Sequence, residues 1–126
     1  MIRRCVPIVL ALAAASALAH HSVAGEFDSA KPVHLTGVIS KIDWINPHTY
    51  FHLDVTGEDG NVTSWQLESL PTAMLRKAGL SSELIRDGGN VVTVEAIMAR
   101  DGTANLAYVL RIDYADGHYY QLAVAE

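Results

Sequence analysis

Four histidines and one glutamate are the residues of this sequence whose types and positions suit ligand binding or proton transfer. His20 and His21 stand side by side after an apolar start, His48 and His52 lie in mid-chain, and Glu68 follows further on. Imidazole and carboxylate groups hold zinc or copper, and imidazole also exchanges protons near neutral pH. These five residues are therefore the candidate metal ligands.

The position of His20 suits copper if this residue becomes the first of a processed chain. Its α-amino group and imidazole could then chelate one ion, and a third nitrogen would complete a T-shaped copper site. Processing one residue earlier would place His21 third, where an amine, two amides and an imidazole form a square-planar site. Nitrogen-rich tetragonal sites favour Cu(II) over calcium or magnesium. The alternative is that both histidines are solvated residues of an arm.

A β-hairpin is predicted to organise the mid-chain candidates. Residues 50–55 and 63–68 each alternate between apolar and polar side chains, and a Gly-Glu-Asp-Gly-Asn turn separates them. A register centred on Asp59 makes the mainly apolar faces of the two strands coincide. The predicted pairs are Val55 with Thr63, Leu53 with Trp65 and Phe51 with Leu67.

This register places Glu68 across from Tyr50 and Gln66 across from His52. His48 and His52 would stand about 13 Å apart on a regular strand, so they could not share one ion directly. Diagonal neighbours across a strand pair lie within about 7 to 8 Å, so Glu68 could reach toward either histidine. The alternative is that these residues form only the solvent face of the hairpin.

The first 19 residues have the three parts of a secretory signal peptide. Arg3 and Arg4 form a basic start, residues 6–18 are mainly apolar, and Ala17-Leu18-Ala19 is a small-x-small cleavage site. The apolar stretch is shorter than the roughly 20 residues that a transmembrane helix needs. The sequence therefore predicts a protein of the periplasm or secreted medium with no membrane span after processing near Ala19. The alternative is an uncleaved anchor.

Processing would leave a cysteine-free, acidic chain. Cys5 is removed with the signal, so neither a disulfide nor a thiolate site is expected. Loss of two of the nine basic residues takes the net charge from −5 to about −7, which disfavours binding to nucleic acid. The remaining 107 of the 126 residues fit one domain. We expect a mobile N-terminal arm over residues 20–32 and a single β-barrel-like domain over residues 33–126.

The element order predicts the fold class. A long first strand changes the phase of its apolar residues near Gly37, which indicates a bulge or bend. The hairpin follows, then a short helix over residues 71–78, a capped turn over residues 81–86, and two or three further strands. This order is typical of a small OB-like barrel with five or six strands and one short helix. An open α+β sheet is the alternative.

Several short motifs are spread over the processed chain. They are His20-His21-Ser22, Glu26-Phe27-Asp28, Lys31-Pro32-Val33, Gly37, Trp44-x-Asn46-Pro47-His48, Trp65 with Glu68 and Pro71, Leu75-Arg76, and Val92-Thr93-Val94-Glu95. With these motifs the chain resembles a bacterial family of small exported proteins, domain of unknown function 6152. The resemblance implies a periplasmic protein with a small β-barrel-like fold, and His20, His21, His48 and Glu68 match the family pattern. It implies no reaction. The chain departs from the family pattern at Leu80, where the resemblance implies a tryptophan directly after the glycine that ends the predicted helix.

Three functional hypotheses follow from these observations. The first is a periplasmic protein that binds a transition metal, copper before zinc, through His20 or His21 with His48 and Glu68. The second is an accessory module that binds another protein of the cell envelope. The third is a small enzyme that uses His52 and Glu68. It is the least favoured, because the sequence contains no nucleophile or oxyanion signature.

Overall fold

A computed structural model describes residues 22–125, which form a mostly β domain with short helices. This composition agrees with the predicted fold class. The elements in chain order are α1 (Ser22–Glu26), β1 (Phe27–Asp43), β2 (Tyr50–Thr56), β3 (Val62–Glu68), α2 (Thr72–Lys77), α3 (Ser82–Arg86), a 3₁₀ turn (Asp87–Gly89), β4 (Val91–Ala99), β5 (Leu106–Tyr114) and β6 (Tyr119–Gln121).

The sheet closes on itself. Strand β1 pairs with β2 on one side and with β4 on the other, and the β2–β3 and β4–β5 pairs are also antiparallel. The closing contact is a parallel pair between β3 and β5, in which Glu68 stands opposite Tyr108. The ring order β1–β2–β3–β5–β4 is that of the OB-like fold. The open-sheet alternative is therefore wrong.

The β2–β3 hairpin has the predicted register. Val55 pairs with Thr63, Leu53 with Trp65 and Phe51 with Leu67. Phe51, Leu53 and Leu67 are completely buried inside the ring, where they pack with residues of β4 and β5. The apolar phase of the hairpin thus faces the main core, as its alternation indicates.

Strand β1 is longer than predicted and bends where it was expected to. It begins at Phe27, inside the segment predicted to be an arm, and its register with β2 shifts between Ile39 and Lys41. Gly37 lies against the main chain of Asp54, an approach that a larger residue would block. The bend lets one strand pair with β2 along one part and with β4 along another.

Both faces of β5 are buried. Tyr108 and Leu110 lie outside the ring in a second apolar cluster with Phe27 and Ile97. Val23 of α1 packs against this cluster. From Val23 onward, the N-terminal segment therefore covers part of the outer face of β4 and β5.

The helical segment after β3 contains two short helices where one helix and a turn were predicted. Pro71 precedes α2, and the Ser81 hydroxyl caps α3 by accepting a hydrogen bond from the Leu84 amide at 3.2 Å. Leu75 and Ile85 insert from these helices into the main core. Among the helices of residues 22–125, none is long and apolar enough to span a membrane.

Candidate metal site

Three of the five predicted ligands lie among the residues that the structure describes. His20 and His21 precede the described residues. His48 lies in the connection between β1 and β2, two residues before β2 begins, and Glu68 is the last residue of β3. His52 lies within β2. The structure brings His48 and Glu68 together and assigns His52 to a different partner.

His48 and Glu68 form an imidazole–carboxylate pair. Nδ1 of His48 contacts Oε1 of Glu68, and the side chains are 25% and 5% exposed. An ionised carboxylate only accepts hydrogen bonds, so Nδ1 carries the proton that is donated. Nε2 of His48 is then the nitrogen with a free lone pair. A metal-binding histidine is commonly held in this way by a carboxylate.

Main-chain hydrogen bonds hold this pair in place. The Thr49 amide donates to the Leu70 carbonyl at 3.3 Å, and the Ser69 amide donates to the Thr49 carbonyl at 2.8 Å. These bonds extend the β2–β3 ladder past the residues that carry the pair. On the loop side, the Thr72 hydroxyl donates to Oδ1 of Asn46 at 2.8 Å, next to the cis Asn46–Pro47 bond. The histidine is thus fixed on both sides.

Burial dominates the electrostatics of Glu68. Removal from water raises the pKa of its carboxyl above the ordinary value, the positive charge that His48 carries when protonated opposes this shift, and the charge of Glu26 adds to it. Tyr50 stands opposite Glu68 on β2, and its pKa is raised by burial and by the charges of Glu68 and Glu26. Tyr108 stands opposite Glu68 on β5. Glu68 is therefore a buried carboxyl between two tyrosines.

The burial of Glu68 differs from the alternative interpretation of the sequence, in which Glu68 belongs only to the solvent face of the hairpin. The alternation of apolar and polar residues along β3 correctly predicts that the Glu68 side chain lies on the face opposite Leu67, outside the ring. The parallel pairing of β3 with β5 then brings Tyr108 alongside it and places it near Glu26. Strand β5 could be predicted from the sequence, but its alignment with β3 could not.

His52 belongs to a second pair. Its Nε2 lies 2.7 Å from Oδ2 of Asp43, a residue that sequence reasoning did not single out. This hydrogen bond is the main cause that lowers the pKa of Asp43, and Lys41 contributes next. Gln66 stands across from His52, as predicted, but it is exposed. His48 and His52, which the sequence placed near Glu68 on the polar side of the hairpin, thus belong to two separate imidazole–carboxylate pairs.

Neither pair is a complete metal site. Within residues 22–125, the structure contains no group of three His, Cys, Asp or Glu side chains that could hold an ion. A metal bound to Nε2 of His48 would need further ligands from residues before Ser22 or from solvent.

Comparison with known proteins places the chain in a family. The model of the Family of unknown function (DUF6152) matches residues 8–107. The chain belongs to this family. The match contains both His48 and Glu68, so the pair lies on the part of the chain that defines membership. No curated protein and no solved structure matches the chain.

Proposed function

We propose that this protein is an exported bacterial protein that binds one transition-metal ion in the periplasm, copper in preference to zinc. His20 or His21 would supply the first ligands and Nε2 of His48 a further one. Glu68 would orient His48. The single observation that carries this proposal is the contact between Nδ1 of His48 and the buried carboxylate of Glu68.

This contact prepares the imidazole for a metal. The carboxylate selects the tautomer with the proton on Nδ1 and makes Nε2 more basic, and loss of such a partner typically costs about 10–100-fold in metal affinity. His48 retains partial exposure, whereas Glu68 is almost completely buried. The accessible group is therefore the imidazole, and the buried carboxylate serves as its support.

The N-terminal helix supports the participation of His20 and His21. Glu26, at the end of α1, is close enough for its charge to raise the pKa of both Glu68 and Tyr50. Ser22, at the start of α1, lies about 6 Å from Glu26 along the helix axis. His21 directly precedes Ser22 in the sequence, so α1 follows the two histidines immediately along the chain.

The expected ligand set explains the preference for copper. A terminal His20 offers its amine and one imidazole nitrogen, and His48 adds a second imidazole. Three nitrogens in a T shape suit Cu(II), whereas zinc prefers a tetrahedral set with a fourth ligand.

The test is a metal titration of the correctly processed protein. The tag-free precursor is exported to a bacterial periplasm, and its amino terminus is confirmed by intact mass. Calorimetric titration with Cu(II) and Zn(II) then compares the wild type, His48→Ala and a version with three extra residues before His20, in which neither His20 nor His21 can chelate copper together with the terminal amine. We expect one copper ion per chain, bound more tightly than zinc, with weaker binding in both altered proteins.

His34→Ala is the matched control, because His34 is an exposed histidine of β1 that the proposal does not use. It should bind copper like the wild type. Equal copper affinity of all four proteins would refute the proposed site. Absence of binding by the wild type would refute the metal-binding function and would favour the search for an envelope-protein partner.

A further inference from the structure

The tip of the β2–β3 hairpin is exposed to solvent. Every residue from 56 to 64 is exposed, and none of them belongs to either apolar cluster. Two main-chain hydrogen bonds close the turn: the Gly57 amide donates to the Asn61 carbonyl at 2.8 Å, and the Gly60 amide donates to the Gly57 carbonyl at 3.0 Å. Few contacts are lost when this turn opens, so a modifying enzyme can bind it without unfolding the core.

Asn61 lies at this tip, directly before β3, and begins the sequence Asn61-Val62-Thr63. An asparagine followed two residues later by serine or threonine, with no proline between them, is the acceptor sequence for N-linked glycosylation of exported proteins. The other asparagines of the chain begin Asn46-Pro47-His48, Asn90-Val91-Val92 and Asn105-Leu106-Ala107. Asn61 is therefore the one asparagine in the sequence with this pattern.

The surroundings of Asn61 suit the attachment of a large group. Its side-chain nitrogen Nδ2 donates to Oδ2 of Asp59 at 2.8 Å, and its main-chain amide donates to Oδ1 of the same residue at 2.9 Å. Both residues are exposed, so water can replace these bonds at a small cost in free energy. Thr63 pairs with Val55 near the outer end of the ladder, and it is exposed as well. A sugar on Nδ2 would thus displace no packed side chain.

We propose that Asn61 is the acceptor site for one N-linked oligosaccharide. The donor is an oligosaccharide joined through pyrophosphate to a membrane lipid, and an oligosaccharyltransferase of the exporting cell catalyses the transfer. Nδ2 of Asn61 forms a bond to the anomeric carbon of the first sugar, and the bond from that carbon to the pyrophosphate oxygen breaks. The lipid pyrophosphate leaves with the electron pair, and Nδ2 loses one proton to a base of the transferase.

The experiment follows the mass of the exported protein. This inference rests on the export in the proposed function and does not depend on metal binding. The precursor is produced in a bacterium that contains such a transferase and its lipid-linked donor, together with a second exported protein that is a known acceptor. Intact mass reports signal cleavage and added sugar, and peptide mass spectrometry locates the sugar. We expect the processed chain to gain the mass of one oligosaccharide on Asn61.

Four variants test the acceptor sequence itself. Asn61→Gln and Thr63→Val should lose the added mass completely, whereas Thr63→Ser retains the hydroxyl and should keep it. Asn90→Gln is the matched control, because Asn90 is also exposed and its Nδ2 donates to Oδ2 of Asp87 at 3.3 Å, but it does not begin an acceptor sequence. It should gain the same mass as the wild type. Circular dichroism checks that each variant is folded.

The outcomes separate this inference from the proposed function. If the wild type is processed and the second acceptor is modified, but Asn61 carries no sugar, the inference is refuted and the proposed function is unaffected. A sugar that Thr63→Val retains, or that lies on another residue, also refutes it. If the precursor keeps its signal and stays inside the cell, the export in the proposed function fails and this inference fails with it.

Discussion

The substitution Gly37→Ala tests a close approach between β1 and β2. Gly37 pairs with Val92 on β4 and lies beside the Val38–Asp54 pair with β2. A methyl group at Gly37 would lie 2.2 Å from the Asp54 carbonyl oxygen, 2.9 Å from the carbonyl carbon and 3.3 Å from the Val55 α-carbon. All three atoms belong to the main chain, so no side-chain rotation can relieve the overlap.

The expected cost follows from the position of β1 in the ring. This strand is hydrogen bonded to β2 and β4, so it cannot move away from Asp54 without weakening one of the two ladders. We expect a loss of about 3 kcal/mol in the free energy of unfolding, at the upper end for overpacking. For a domain of this size, the melting temperature should fall by roughly 12–24 °C.

Urea unfolding of the processed protein, followed by circular dichroism, measures this loss. Gly25→Ala is the matched control, because no heavy atom lies within 4 Å of the added methyl group. It lies in α1, where alanine is favoured over glycine by up to about 1 kcal/mol, so it should stabilise slightly. A loss below about 0.5 kcal/mol for Gly37→Ala would refute the close packing of β1 on β2.

Three further predictions concern the pairs and a buried tyrosine. Glu68→Gln should weaken copper binding about 10–100-fold by calorimetry, because the amide supports His48 less strongly; unchanged affinity would remove Glu68 from the site. His52→Ala should leave copper affinity unchanged, because His52 pairs with Asp43, and a tenfold loss would contradict this. Tyr114→Phe should cost about 1 kcal/mol in urea unfolding at neutral pH, since its hydroxyl donates to the Ile85 carbonyl at 2.6 Å. Burial raises the pKa of Tyr114, so the unfolded chain loses this proton first and wild-type stability should fall above about pH 10. An equally steep fall in Tyr114→Phe would contradict this assignment.

Local patterns in the sequence were sufficient for the β2–β3 hairpin, for α2 and for the cap of α3. A period of two residues determines which side chains share a face of a strand, and the turn at Asp59 sets how the two strands align. Ser81 caps α3 through atoms only three residues away. These features depend on neighbours along the chain, so the sequence alone was enough to predict them.

The site depended on contacts between distant segments. The parallel β3–β5 pair closes the ring and sets Tyr108 beside Glu68, and no local pattern specifies that alignment. Likewise, His52 bonds Asp43 because the β1–β2 register shift brings these residues together. The sequence by itself identified the five candidate ligands. Only the tertiary structure decided that Glu68 is buried and supports His48, because burial depends on how separate strands and the N-terminal helix pack.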